Sequence, residues 1–215
     1  MKVYDYPGFP NPERVRIAAA EKGVLGEIEF VTIDIPGGEG RRPEFLAKNP
    51  LGTVPLLELN DGSRISECTA ISEYLDGLCG APTLTGASPR ERAVIHMMQR
   101  RSETLIVDAI GACFHHATPG FGSLIETNQI PAWGEAGLQR TLFGMRYFDT
   151  VLSTQSYLNA ASFSMADISL FTGIEFAQTL RIAIPPACSA LVDYCERLKD
   201  RPSFAARILR RRMDD

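Results

Sequence analysis

Residues 49–75, NPLGTVPLLELNDGSRISECTAISEYL, set a proline inside an apolar run that otherwise alternates as a strand. The turn NDG (60–62), the stretch SRIS and a helical pattern from Thr69 follow. That order predicts a β-hairpin closed by a helix. Pro55 has no N–H to give to a ladder. Two readings are open: the first or edge residue of a strand, or a cis Val54–Pro55 bond. A cis bond would turn the N–H and C=O of Val54 toward solvent, where an extended peptide could pair with them by strand addition. At the far end, Ser66, Glu67, Cys68 and Thr69 precede AISEYL. Unpaired N–H groups and the positive dipole end of a helix favour a carboxylate there, and Glu67 could meet an ammonium. The plainer reading makes Ser66 the N-cap and Glu67 a first-turn acid that suits the dipole. An exposed backbone pair beside an amine-plus-carboxylate pocket describes a site for a short zwitterionic peptide.

Outward from this stretch the pattern stays mixed. KVYDY (2–6) and IEFVTIDI (28–35) read as strands, and PERVRIAAAEKGV (12–24) reads as a helix that stops at Gly23. RPEFLAKN (42–49) is a short helix or turn. The order β-α-β, a connection, then β-β-α predicts a small α/β unit with a mixed sheet over residues 1–79. GAPTLTGASP (80–89) has the composition of a linker. Beyond it the chain, 90–215, reads as all helix. PRERAVIHMMQRRSETLIVDAIGACF (89–114) is expected as one long helix. Leu138, Leu142, Met145, Phe148 and Leu152 share one helix face. In FSMADI, Ser164 and Asp167 make a capping box flanked by the staple pair Phe163 and Ile168, so Asp167 is expected to serve folding.

The chain has 215 residues, 45% hydrophobic and 22% charged, with a formal net charge of −4. That is ordinary for a soluble protein with a sizeable core, and it gives no electrostatic case for nucleic acid. The basic tail, Arg207, Arg210, Arg211 and Arg212, reads as a solvated helix end. Five scattered cysteines without a CxxC exclude a disulfide framework or a zinc site and suggest a reducing, cytoplasmic location. The first ten residues lack the apolar core of a secretion signal, and no stretch is long enough for a membrane span.

The quoted segment resembles the glutathione-binding segment of the cytosolic glutathione transferases, whose pattern is roughly NPxGxVPxLxxxDGxxxxES-x-AIxxYL. EKGV (21–24) and SMADI (164–168) match further signatures of that family. The resemblance spans most of the chain. It implies an N-terminal thioredoxin-like domain with a cis-proline, followed by an all-helical domain that contributes an electrophile pocket. It implies glutathione as co-substrate, no metal, no nucleic acid or membrane partner, and a homodimer.

The resemblance also implies roles. Val54 pairs with the backbone of the glutathione cysteine, Pro55 is the cis residue, and Thr53 stands where a Gln often sits. Glu67 meets the γ-glutamyl amino group. Cys68 replaces the usual Ser or Thr beside the γ-glutamyl carboxylate: its N–H is kept, but its thiol is the weaker donor. A reactive thiol, its pKa lowered by the helix start, is the alternative for Cys68. Arg41 is placed for the glycyl carboxylate, with a solvated loop arginine as the bland alternative and Lys48 as a second candidate. Gly40 stands where some classes carry a His.

The first strand–helix loop, YPGFPNPERVRI, has no Ser or Cys at the catalytic position. Asn11 between two prolines resembles bacterial members that carry Asn there, so Asn11 is expected to assist the thiolate. Phe9 falls at the serine position in a shifted alignment. Tyr6 stays a candidate, and Tyr4 reads as a strand residue. Phe9, Met97, Met98, Phe114, His115, His116 and Trp133 are candidates for the electrophile pocket. The His pair has no third ligand in sight. The expected reaction is attack of the glutathione thiolate on an electrophilic carbon or a disulfide. The rivals are a glutathione-dependent disulfide reductase and a non-catalytic binding protein.

Overall fold

The structure, a computed structural model, describes residues 1–81, 83–160 and 162–207. Strand β1 (Lys2–Asp5) runs parallel to β2 (Glu29–Thr32), with Val3 opposite Phe30. It runs antiparallel to β3 (Leu56–Glu58), with Val3 opposite Leu57. β4 (Arg64–Ser66) completes the hairpin, and the sheet order is β2-β1-β3-β4. The period of two sorts the side chains. Val3 and Leu57 join the main core with Val15 and Ile17 of α1 (Pro10–Glu21). Tyr4, Ile33 and Leu56 pack on the opposite face with Phe45 of the short helix α2 (Pro43–Leu46). α3 (Cys68–Leu78) adds Ile71 and Leu75 to the main core.

Pro10 and Pro12 sit in the first turn of α1, where an N–H would have no helical partner. The helix stops where Gly23 takes φ +71°, a left-handed geometry that glycine adopts without penalty. α1 lies between α3 and a helix of the second domain and is buried from Pro12 to Ala19.

The rest of the described chain is helical, so the thioredoxin-like domain followed by a helical domain is the observed fold. α4 (Pro89–Ser102) starts at a capping box of Ser88 and Glu91. The expected single helix over 89–114 differs in one respect. Residues Glu103–Val107 form a π turn before α5 (Asp108–Ala117). Hydrophobic spacing does not encode this turn, because its first side chain is held by residues of the other domain. α6 (Phe121–Ile125), α7 (Pro131–Leu152), α8 (Met165–Thr179) and α9 (Ser189–Lys199) follow. Among the described residues, no helix is long and apolar enough to cross a membrane.

The capping box of α8 forms as expected. Asp167 Oδ2 accepts from Ser164 N at 2.9 Å and Ser164 Oγ at 2.8 Å. Its Oδ1 accepts from Leu158 N at 2.9 Å and from the Tyr194 hydroxyl at 2.8 Å. Arg207 departs from the solvated reading: its guanidinium donates to Glu175 and lies over the rings of Phe171 and Phe204. Arg210, Arg211 and Arg212, the helical pattern to Met213 and Pro82 of the expected linker lie outside the described residues.

A buried carboxylate ties α3 to the connection before α4. Asp76 accepts from Thr85 N at 2.8 Å, Thr85 Oγ1 at 2.7 Å and Leu84 N at 3.1 Å. Its other oxygen lies 2.9 Å from Lys22 Nζ at the end of α1. Burial pushes the Asp76 pKa up, but the bonds from Thr85, Lys22 and the backbone outweigh it and hold the carboxyl below its ordinary value. Asp76→Ala strands Lys22, so denaturant unfolding at pH 7 should show a loss of about 3–5 kcal/mol. The pKa is depressed in the folded state, so the stabilisation is present above the ordinary aspartate value of about 3.9. The gap between wild type and variant should narrow as the pH falls through the lowered folded value.

Candidate functional site

The loop that opened the sequence analysis is held from within. Asn49, 2% exposed, donates from Nδ2 to Thr53 O at 2.8 Å and to Thr53 Oγ1 at 3.2 Å. Its Oδ1 accepts from Leu51 N at 3.3 Å. Two glycines press this loop against the one carrying Arg41. A Cβ on Gly40 would stand 2.5 Å from Gly52 O, and a Cβ on Gly52 would stand 2.6 Å from Gly40 O. Gly52 also has φ +66°. Any side chain at either position would force the loops apart. The Val54–Pro55 bond is cis. Neither the N–H nor the C=O of Val54 has a hydrogen-bond partner among the described residues.

Thr53 and Val54 form one wall of a cavity of about 350 Å³ between the two domains. Tyr6, Phe9 and Asn11, from the loop after β1 and the start of α1, form the floor, and Arg41 stands at the rim. The helical domain supplies Val107, Gly111, Phe114 and His115 from the π turn and α5, and Phe176 from α8. The far side is aromatic. The Phe9 ring centroid lies 5.7 Å from Phe114, 5.6 Å from Phe176 and 5.4 Å from both Tyr6 and Phe121. Offset and tilted rings at these spacings attract one another. Burial lowers the His115 pKa; the neighbouring His116 lowers it further and Glu126 opposes. His115 is therefore a neutral imidazole at pH 7, with one nitrogen able to accept a proton.

Asn11 meets α3 through Cys68, whose Sγ donates to Asn11 O at 3.4 Å. The Asn11 side chain is oriented too: its Oδ1 accepts from Arg14 Nη1 at 3.1 Å. Arginine can only donate, so the amide's Nδ2 is left as the free donor. Glu67, not Ser66, is the N-cap position of α3, and Ser66 belongs to β4. Glu67 has φ +70°, a conformation that costs a residue with a Cβ about 1–3 kcal/mol. Its side chain is exposed and has no partner among the described residues.

Of the expected site residues, Phe9, Asn11, Arg41, Thr53 and Val54 line the cavity. Pro55 is buried, Glu67 is the N-cap of α3 and Cys68 is its first residue. Arg41 is exposed, and its guanidinium donates to Ile125 O in the helical domain. Lys48 is not brought to the cavity; it donates to the Tyr4 hydroxyl at 3.0 Å and pairs with Glu58 on the outer face of the sheet. Tyr4 is a strand residue there, as expected.

Of the expected pocket residues, Phe9, Phe114 and His115 line the cavity. Met98 is buried in the core, Met97 is exposed, and His116 stacks on Trp133 with centroids 4.5 Å apart, away from the lining. Successive helical residues point about 100° apart, so Met97 and Met98 face different surroundings. Sequence reading missed Ile35, Val107, Ile125 and Phe176, which are ordinary apolar residues with no local signal. Among the described residues, no group of three metal-ligating side chains gathers.

The reactive-thiol alternative for Cys68 does not hold. Burial pushes its pKa up to about 11, with Arg14 opposing and Glu103 and Glu67 adding to the rise. The thiol stays neutral despite the helix start.

Residues 10–78 match the family model for the glutathione S-transferase N-terminal domain, and residues 138–207 match the model for the C-terminal domain. Glutathione S-transferase 2 of Saccharomyces cerevisiae is 50% identical over 203 residues, 94% of this chain and 87% of that protein. The chain belongs to the glutathione S-transferase family. That is the enzyme class expected from the sequence. The crystal structure of Gtt2 from Saccharomyces cerevisiae superposes with a TM-score of 0.93 at 50% identity, covering 95% of this chain and 99% of that one. A glutathione S-transferase domain-containing protein from Marinobacter aquaeolei gives 0.92 at 48% identity, covering 95% and 100%.

The state of the cysteines is open to a direct check. Cys79 is exposed, whereas Cys68, Cys113, Cys188 and Cys195 are buried. Brief alkylation of the native protein at pH 7.5, followed by mass mapping, should label Cys79 and leave Cys68 unmodified until denaturant is added. Rapid native labelling of Cys68 would contradict the neutral buried thiol.

Proposed function

We propose that this transferase binds glutathione along Thr53 and Val54 and directs its thiolate at an electrophile held against the aromatic wall. The observation that carries this reading is the unpaired N–H and C=O of Val54 on the wall of the cavity. They are a ready partner for the backbone of a peptide cysteine. The γ-glutamyl end then lies toward α3, where the Cys68 N–H and the helix dipole receive the carboxylate and Glu67 receives the ammonium. The glycyl carboxylate lies toward Arg41, which keeps donors beyond the one it gives to Ile125.

This alignment sets the thiol near the start of α1. The Nδ2 donor of Asn11 stabilises the thiolate, and a donor to the charged form lowers a thiol's pKa. The neutral His115 is available on the same cavity to take the proton. The thiolate then attacks the electrophilic centre, forming the carbon–sulfur bond as the leaving group departs with the electron pair. The protein works as a cytosolic homodimer in this reading.

Ultraviolet titration of bound glutathione tests the chemistry. The bound thiol should titrate below the free value of about 8.5. Asn11→Ala should move it back up and lower kcat/KM toward an aryl halide by about 100- to 1,000-fold, the range for loss of one preorganised donor. A wild-type thiol pKa equal to the free value would overturn the catalytic reading in favour of a binding protein. Parallel turnover of an aryl halide and a mixed disulfide separates transferase from disulfide reductase.

A further inference from the structure

The π turn places a carboxylate where two domains and the first loop meet. Glu103 Oε1 accepts from Arg14 Nη2 at 2.6 Å, from Thr69 Oγ1 at 2.8 Å and from Gln99 Nε2 at 3.0 Å. Gln99 also donates to Thr69 Oγ1 at 3.1 Å. The pair is enclosed: the Arg14 side chain is 6% exposed and that of Glu103 19%. Arg100 Nη1 stands 3.6 Å from the other Glu103 oxygen and 3.5 Å from Asp108. Burial raises the Glu103 pKa, but the Arg14 charge and the bonds from Arg14, Thr69 and Gln99 outweigh it, so the carboxyl stays ionised.

A guanidinium is a rigid planar fork. Once Nη2 is fixed on Glu103, the direction of Nη1 is fixed as well. Nη1 donates to Asn11 Oδ1, and the planar amide then has its orientation set. We propose that Glu103 is a positioning residue for the transferase reaction: across the domain junction, through Arg14, it holds the Asn11 amide with Nδ2 presented as the donor to the glutathione thiolate. The proposal rests on the role given to Asn11 above. Glu103 exchanges no proton and touches no substrate in it. π turns in α-helices recur at functional sites, and here the turn carries the side chain that reaches the other domain.

The sign of one measurement separates positioning from charge. A carboxylate near the thiol disfavours the thiolate through space, so neutralising Glu103 by electrostatics alone would lower the bound thiol pKa. Loss of the oriented amide would raise it. The experiment titrates bound glutathione in wild type, Glu103→Gln, Arg14→Lys, Asn11→Ala and the double variant Asn11→Ala/Glu103→Gln, with glutathione Kd from calorimetry. Arg14→Lys keeps the cation beside Glu103 and loses the second arm of the fork, so it decides the matter if Glu103→Gln does not fold.

The expected result is a rise in thiol pKa in both single variants, approaching that of Asn11→Ala. The fall in kcat should exceed the change in KM, and the double variant should show no further rise. An unmoved or lowered pKa in Glu103→Gln and Arg14→Lys, beside a raised one in Asn11→Ala, overturns the positioning role and leaves the Asn11 role standing. An unmoved pKa in Asn11→Ala overturns both.

Discussion

Helix α1 is enclosed on every side yet carries Glu13, Arg14 and Arg16 at less than 8% exposure. Burying an ion without a partner is prohibitive, so each of these charges dictates what lies beside it. Arg16 is satisfied inside the first domain, with Nε 3.0 Å from Asp5 Oδ2 and the guanidinium over the Phe30 ring. Among the described residues, Arg14 is satisfied by Glu103 of the second domain and by Asn11. Docking of the two domains is therefore a charge-pairing problem as much as an apolar one. The far end of α1 repeats the device, where Arg201 forks onto Glu21 at 2.6 and 2.8 Å.

This constraint explains why the cavity has its two characters. The loops of the sheet domain present backbone: a tethered Asn49, two glycines in contact and the free polar groups of Val54. Backbone groups and a helix start recognise a peptide by its main chain and its ends, largely whatever its source. The helical domain presents aromatic and aliphatic side chains, whose attraction is broad and weakly directional. In the proposed reading, the thiol of a bound peptide lies between them, next to the loop that α1 anchors. A rigid recognition half and an apolar, more permissive half suit an enzyme that holds one partner fixed and varies the other.

The sequence was legible where a requirement is local. The Asp-Gly turn, the capping box at Ser164 and Asp167 and the stop at Gly23 each satisfy a nearby backbone group, so their signals sit within a few residues. The α7 stripe was legible because its period is that of one helix against one core: Met145, Phe148 and Leu152 are all buried. Arg41 ranked ahead of Lys48 only through the family resemblance, since both are cations on the same connection. Tyr4 and Glu58 across the sheet capture one, and a carbonyl of the helical domain captures the other. The Arg14 bond to Glu103 joins residues 89 apart in sequence, and no single-chain periodicity encodes a partner at that distance. Ile125 and Phe176 face the cavity for the same reason that other apolar residues face the core.

With Asn11 as the proposed donor in place of Ser, Tyr or Cys, the burden shifts from acidity to geometry. A hydroxyl rotates to find its acceptor, whereas an amide must be aimed, because its donor and acceptor ends sit on one rigid plane. An amide donor is therefore useful only inside a supporting shell that fixes which end faces the sulfur. The chain supplies that shell from three segments, with Arg14 on α1, Thr69 on α3 and the Gln99–Glu103 pair on the helical run. A side chain of modest strength placed by buried charges becomes dependent on domain docking in a way that a serine would not. In the proposed reading, the junction that seals α1 also sets how well the sulfur is served.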